Sequence, residues 1–208
     1  MRLYYSPGTC SLSPHIVARE AGLDIELVAV DIATKLTQRG ERYTQINPKG
    51  YVPALVLDNG LILTEGPAIV QLLADAAPAA GLIPAAGTLK RYVAQEWLNF
   101  ISTELHKGFS PLWRKETSAD MRRLARETLA TRFSFLDQHL ADRPYILGDR
   151  FGVADAYAFT VLQWAKVMAI DLGRWANITA YLGRVGARPK VREALIAEGL
   201  VPSESEAA

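Results

Sequence analysis

Arg2-Leu3-Tyr4-Tyr5-Ser6-Pro7-Gly8-Thr9-Cys10-Ser11-Leu12-Ser13-Pro14-His15 opens the chain, and its reading sets the architecture of everything around it. Arg2 to Tyr5 is a short run of strand-forming residues, ended by Pro7-Gly8. From Ser11 the apolar spacing becomes that of a helix, which runs to about Ala21 and is closed by Gly22 in the left-handed position past its end. Glu26 to Val30 then reads as a second strand. The three elements form a βαβ unit, which implies parallel strands and a right-handed crossover. Cys10 falls one residue before the helix start. A thiol there meets helix-terminal N–H groups and the positive end of the dipole, which favour thiolate and predict a nucleophile or redox centre. The competing reading is a small buried hydrophobe.

Beyond a polar stretch from Asp31 to Asn47, Ala54 to Leu57 and Leu61 to Leu63 flank Asp58-Asn59-Gly60, a strong hairpin signal. Gly66-Pro67 opens a helix to about Ala76, with proline at its first position. The order βαβ, ββ, α predicts a small mixed sheet with helices packed on it. Residues 77–87 have the composition of a linker, and helical patterns alone follow it: Leu89 to Lys115, Ala119 to Leu140, Val153 to Met168, Trp175 to Ala187 and Pro189 to Glu198. The third of these leaves almost no polar face and is expected to be buried. Asp155, three residues after Gly152, reads as a cap for that helix rather than a catalytic acid. The tail from Pro202 to Ala208 is expected to fray.

The 208 residues allow one large domain or two small ones. With 23 Lys and Arg against 22 Asp and Glu, the net charge of +1 gives no reason to expect nucleic acid. One cysteine excludes an intrachain disulfide framework and fits a reducing compartment. No apolar run approaches membrane-spanning length, and no signal peptide precedes the first strand. A cytoplasmic protein is expected, with small molecules or another protein as partners.

Val52-Pro53 sharpens the reading of Cys10. A proline just before an apolar strand cannot donate to a ladder; it marks an edge or an ordinary turn, and a cis bond is open to it. With strand 54–57 beside the first strand, Val52 presents its backbone N–H and C=O near Cys10, where an extended peptide carrying a thiol could pair with them.

These stretches make the chain resemble the glutathione transferases, and within them the bacterial beta class. The matching segments are Tyr5-x-Pro7-Gly8-x-Cys10-Ser11-Leu12, Asn47-Pro48-Lys49-Gly50-Tyr51-Val52-Pro53-Ala54-Leu55, Leu63-Thr64-Glu65-Gly66-x-Ala68-Ile69, Glu96-Trp97-Leu98-Asn99-Phe100-Ile101, Thr103-Glu104-Leu105-His106-Lys107 and Phe151-Gly152-Val153-Ala154-Asp155-Ala156-Tyr157. They span nearly the whole length in the family's order. Within the class the chain is most similar to members of aromatic-pollutant degradation pathways, such as the biphenyl-pathway transferase. The resemblance implies a thioredoxin-like domain over residues 1–80, an all-helical domain over 88–200, a homodimer, and glutathione as co-substrate without a metal.

It also implies roles. Glu65 suits the ammonium of glutathione, and the helix start at Gly66 and Ala68 suits the adjacent carboxylate through backbone N–H groups, because the serine of many family members is here Gly66. Val52, before the family's cis-proline Pro53, pairs with the cysteinyl backbone. Lys35 matches the lysine for the glycine carboxylate; without the resemblance it reads as a solvated charge. Asn99, Thr103 and His106, spaced i, i+4, i+7, share one helix face closing over Cys10, and His106 is placed near the sulfur to hold or exchange a proton. Glu104 points off that face toward the partner subunit's site. Tyr5, Phe109, Trp113 and Trp164 border an apolar site for the electrophile, with core packing the alternative for Trp164. Lys107 either stabilises developing charge or is simply solvated. Tyr5 and Ser11 are candidate hydroxyl donors to the sulfur, and Ser13 three residues after Cys10 excludes an internal disulfide.

The expected reaction is attack of glutathione thiolate on an electrophilic, aromatic or halogenated apolar substrate. Two other readings stand beside it: a glutathione-dependent thiol-disulfide reductase or dehalogenase using Cys10 covalently, and a non-catalytic carrier of hydrophobic ligands.

Overall fold

The computed structural model describes residues 1–202; beyond Pro202 the tail expected to fray lies outside the described residues. Strands β1 (Arg2–Tyr5), β2 (Glu26–Asp31), β3 (Leu36–Thr37), β4 (Ala54–Val56) and β5 (Ile62–Thr64) form one sheet in the order β3-β2-β1-β4-β5. β1 and β2 are parallel, as the intervening helix α1 (Leu12–Glu20) requires, and the remaining pairs are antiparallel. β3 and the short helix α2 (Tyr43–Ile46) lie within the polar stretch from Asp31 to Asn47, where the sequence shows no periodic element. A two-residue strand carries no alternation, so only its pairing with β2 reveals it.

The alternation of β1 sends Leu3 to one face of the sheet and Tyr4 to the other. Tyr4 joins Val28, Val30, Tyr43, Val52 and Ala54 in a small core under α2. Leu3 and Leu55 face α1 and α3 (Gly66–Ala76), where Ile16, Ile69, Val70 and Leu73 are fully buried. Each such side chain contributes about 1.5 to 3 kcal/mol. Glu65 rather than Gly66 precedes α3, which moves Pro67 to the second helical position, where its missing N–H is still harmless.

This second core continues without a break into the helical half. That half comprises α4 (Leu89–Phe100), α5 (Ser110–Trp113), α6 (Ala119–His139), α7 (Val153–Leu162), α8 (Trp164–Val167), α9 (Ala176–Gly186) and α10 (Pro189–Ala197). All ten residues of α7 are buried, and the helix packs against both α1 and α3. Asp155 accepts from the backbone N–H groups of Gly152 at 2.9 Å and Ile146 at 2.8 Å, and from the Tyr181 hydroxyl at 3.1 Å. It is the expected cap.

The helix expected over Leu89 to Lys115 is not continuous. After α4 the chain widens into a π-helical segment, Ile101–His106, then tightens to a 3-10 turn, Lys107–Phe109, before α5. At the junction the Thr103 hydroxyl bonds the Asn99 carbonyl at 3.0 Å, a contact that bends helices. The change of pitch breaks the 3.6-residue phase and rotates the side chains that follow.

Asp155→Ala leaves the buried N–H groups of Ile146 and Gly152 without an acceptor, while the Tyr181 hydroxyl keeps only the residue 155 carbonyl at 3.2 Å. It is expected to lower the unfolding free energy by about 3 to 5 kcal/mol, read from the urea midpoint; a loss below about 1 kcal/mol would contradict the capping role.

Candidate functional site

The loop between β1 and α1 carries Cys10 and is held from both sides. Gly8, at φ +70°, donates its N–H to Glu198 at 2.9 Å and accepts from the Trp164 indole at 2.9 Å. Inside the loop, Ser11 is fully buried and its hydroxyl bonds Ser6 and Thr9, so it is not free to serve a ligand sulfur.

Cys10 is half-buried, and its Sγ donates to the Val52 carbonyl at 3.3 Å. The Val52–Pro53 peptide is cis, and the Val52 N–H makes no hydrogen bond among the described residues. The expected thiolate is not what this setting favours. Burial pushes the thiol up to about 12, outweighing backbone N–H groups and the Lys107 charge, which pull the other way. Cys10 is a protonated donor at neutral pH.

Two adjoining cavities meet at Cys10. One, of about 300 Å³, is lined by Cys10, Val52, Pro53, Glu65, Gly66, Pro67 and, from the helical half, Ser102, His106, Lys107 and Tyr157. The other, of about 490 Å³, shares Cys10, Tyr51, Val52 and His106 and extends to Ile32, Lys35, Trp113 and Trp164. The first is polar and acidic at its lip; the second is floored by rings. A further cavity of about 470 Å³ between α7, α9 and α10 holds no nucleophile and lies apart from both.

At the lip, Glu65 has φ +72°, a backbone conformation uncommon outside glycine. Its carboxylate is bonded by Lys49 at 2.5 Å and Tyr51 at 3.1 Å, and Lys49 holds it below the usual carboxylate range. A ligand ammonium entering here must share or replace the Lys49 contact. Gly66 has open space about its Cα, the nearest atom to an added Cβ being the Ser13 hydroxyl at 4.0 Å, so its lack of a side chain is not a steric need. Lys35 donates to the Gly50 carbonyl at 2.7 Å, which sets its ammonium on the wall of the second cavity.

His106 is in place, but not as a group titrating near neutrality. Burial, with Lys107 beside it, pushes the imidazole down to about 4, and Nδ1 bonds the Tyr157 hydroxyl at 2.7 Å. Asn99 and Thr103 do not share its face. Both are exposed and outside the two cavities of their own chain; Asn99 lies before the π-helical turn, and within that turn Ser102 rather than Thr103 lines the first cavity. Glu104 is paired with Arg132 at 2.6 Å, off that face as expected.

Of the aromatic residues, Trp113 (48% exposed) and Trp164 line the second cavity edge to face, with ring centroids 5.9 Å apart. Phe109 is 0% exposed and packs into the core against Phe133 and Trp164, so it offers no surface to a substrate. Tyr5 lines neither cavity; its ring lies 6.2 Å from that of His15. Sequence reasoning did not single out Ser102, Tyr51, Ile32 or Tyr157 as lining residues. Ser102 was hidden by the assumption of one helical pitch, and Tyr157 by its place in a helix that is apolar all round.

The chain matches the family models for the glutathione S-transferase N-terminal domain over residues 8–76 and the C-terminal domain over residues 100–189. It is 46% identical over 200 residues to glutathione S-transferase GstA of Escherichia coli O157:H7, covering 96% of this chain and 100% of that one. Among solved structures, the ternary complex of BphK, a bacterial GST, is 54% identical with a TM-score of 0.95, covering 96% of this chain and 100% of the other. A sphingomonad glutathione S-transferase complexed with glutathione is 45% identical with a TM-score of 0.94, covering 97% and 100%.

A thiol raised to about 12 reacts slowly with iodoacetamide at neutral pH, and its rate is expected to keep climbing above about pH 10, where an ordinary thiol has levelled off. Mass spectrometry of Cys10 alkylation against pH checks this; a plateau reached by pH 7 would contradict it.

Proposed function

Because the chain belongs to the glutathione S-transferase family, as a member of its bacterial beta class, and takes glutathione as co-substrate, we propose that its second substrate is an apolar, aromatic or halogenated electrophile bound against Trp113, Trp164 and Ile32. The observation that carries this reading is the meeting of the two cavities at Cys10. A polar groove sized for a short peptide opens at its thiol end onto an aromatic wall.

In this reading residues 1–80 supply most of the peptide contacts and 88–200 the apolar wall. Glu65 and the N–H groups at the head of α3 receive the γ-glutamyl ammonium and carboxylate. The free Val52 N–H, with Pro53 fixing the turn beside it, pairs with the cysteinyl backbone, and Lys35 meets the glycine carboxylate. Cys10 then exchanges its Val52 acceptor for the ligand sulfur and donates its S–H to the thiolate. Lys107, exposed and without an ion-pair partner among the described residues, adds positive potential. The thiolate attacks the electrophilic carbon, forming the C–S bond as halide departs with its bonding pair, or as the π bond of an activated double bond breaks, its pair shifting to the far end of the system, which takes a proton from solvent. The thiol proton passes to solvent.

Held as a thiol, Cys10 is a weak nucleophile, which favours conjugation over the reductase or dehalogenase reading in which it bonds covalently. A twofold-symmetric dimer is part of the proposal: Tyr92 and Val93 of α4 and Phe135 of α6 present an exposed apolar face for it. Across that dimer, Asn99, Thr103 and Glu104 are placed to reach a partner's site rather than their own. The compartment proposed is the cytoplasm, where a single thiol stays reduced. No helix among the described residues is long and apolar enough to cross a membrane.

With 1-chloro-2,4-dinitrobenzene as electrophile, Cys10→Ala is expected to keep conjugating activity, with kcat/KM within about tenfold of wild type. Complete loss of turnover in that variant would favour the covalent reading, and saturable ligand binding with no glutathione consumed by either protein would favour the carrier.

A further inference from the structure

Tyr157 projects from α7 into the first cavity, is buried, and lies with its Oη 2.7 Å from Nδ1 of His106. The imidazole is further fixed by rings on two sides, edge to face with Trp164 at 4.8 Å and with Tyr157 at 5.9 Å between centroids. Its other nitrogen, Nε2, has no protein partner among the described residues, while the ring lines both cavities with Cys10. The charged groups that share a cavity with the ring are Lys107 on its own segment, Glu65 at the head of α3 and Lys35; Cys10, Tyr51 and Tyr157 are the other titratable ones.

The direction of the Tyr157–His106 bond follows from the chemistry of its two ends. Burial holds the phenol in its protonated form, and Nδ1 of His106 is the one hydrogen-bond partner of its oxygen among the described residues, so a protonated Nδ1 would leave the phenolic proton without an acceptor. The imidazole is neutral and so carries a single N–H. With Nδ1 accepting, that proton sits on Nε2.

We propose that Tyr157 is a positioning residue for the transferase reaction: its hydroxyl donates to Nδ1 of His106 and thereby presents Nε2–H as a fixed donor to the glutathione sulfur. The inference rests on the glutathione reading above and adds to it a relay, Tyr157 to His106 to sulfur, in which no member changes protonation state. His106 stabilises the thiolate as a neutral donor, and the proton lost from glutathione leaves to solvent. The capped start of α7 places the relay, because Asp155 fixes the first turn two residues before Tyr157.

Two measurements test it. In wild-type protein labelled with nitrogen-15, the three histidines are resolved by their ring correlations, and His106 is expected as the Nε2–H tautomer, passing to a mixture in Tyr157→Phe. Second, the thiolate absorbance of bound glutathione is titrated against pH. Wild type should ionise it below the free thiol, and Tyr157→Phe should raise that value by about one unit, cutting kcat/KM about tenfold at lower pH with KM for glutathione within about twofold. The double variant His106→Ala with Tyr157→Phe should equal His106→Ala alone. An Nδ1–H tautomer in wild type, an unchanged thiol titration in Tyr157→Phe, or losses that multiply in the double variant would overturn the relay. A wild type that leaves glutathione's thiol at its free value would instead overturn the reading of the site on which the relay rests.

Discussion

The carboxylate of Glu198, fully buried at the end of α10, holds the loop that carries Cys10 from the far side of the molecule. One oxygen accepts from the Gly8 N–H and the other bonds His15 on α1 at 2.9 Å, whose second ring nitrogen accepts from Arg19 at 2.9 Å. The Trp164 indole takes the Gly8 carbonyl. Both backbone polar groups of one residue, two positions before Cys10, are thus satisfied by the helical half. A buried carboxylate with its partner removed is left uncompensated, so this clamp ties the sheet and the helices together more firmly than an exposed pair would. The apolar core that runs unbroken between the two halves does the same by area.

From that constraint the division of labour at the site follows. The sheet half supplies backbone: the Val52 N–H, the head of α3, the loop that aims the Cys10 sulfur. The helical half supplies the side chains over the sulfur: Ser102, His106, Lys107 and Tyr157. Neither half alone encloses a thiol. Both Cys10 and His106 are driven by burial toward their neutral forms, one up to about 12 and the other down to about 4. In the proposed mechanism the centre works through neutral hydrogen-bond donors, with Lys107 as a nearby cation, rather than through an ionised cysteine and an imidazolium. Such donors keep their protons across the neutral range, so the sulfur of the ligand is the group that ionises.

Much of this was legible in the chain. Strand and helix periodicity, the Asn59-Gly60 hairpin and the cap at Asp155 are local signals, and local physics decides them. The pairing of Cys10 with Val52 was legible only on the condition that strand 54–57 lies beside the first strand, which the antiparallel pairing of β4 with β1 meets. What the sequence hid were effects of environment and pitch. The charge state of Cys10 depends on how deep the sulfur sits, which position at a helix start does not reveal. Thr103 and Ser102 exchange places because a π-helical turn interrupts a pattern that reads as continuous α-helix. Phe109 is spaced like a lining residue, yet it is buried where the segment tightens. Glu65 was correctly placed at the lip, while its engagement by Lys49 depends on a loop fold that no motif encodes.

The central claim is that this enclosure binds glutathione as its thiolate. Proton release on binding measures it directly: in weakly buffered solution near neutral pH, saturating the protein with glutathione should liberate close to one proton per site, and S-methylglutathione, which has no thiol to ionise, should liberate none. Tight binding of glutathione with no proton released would contradict the account.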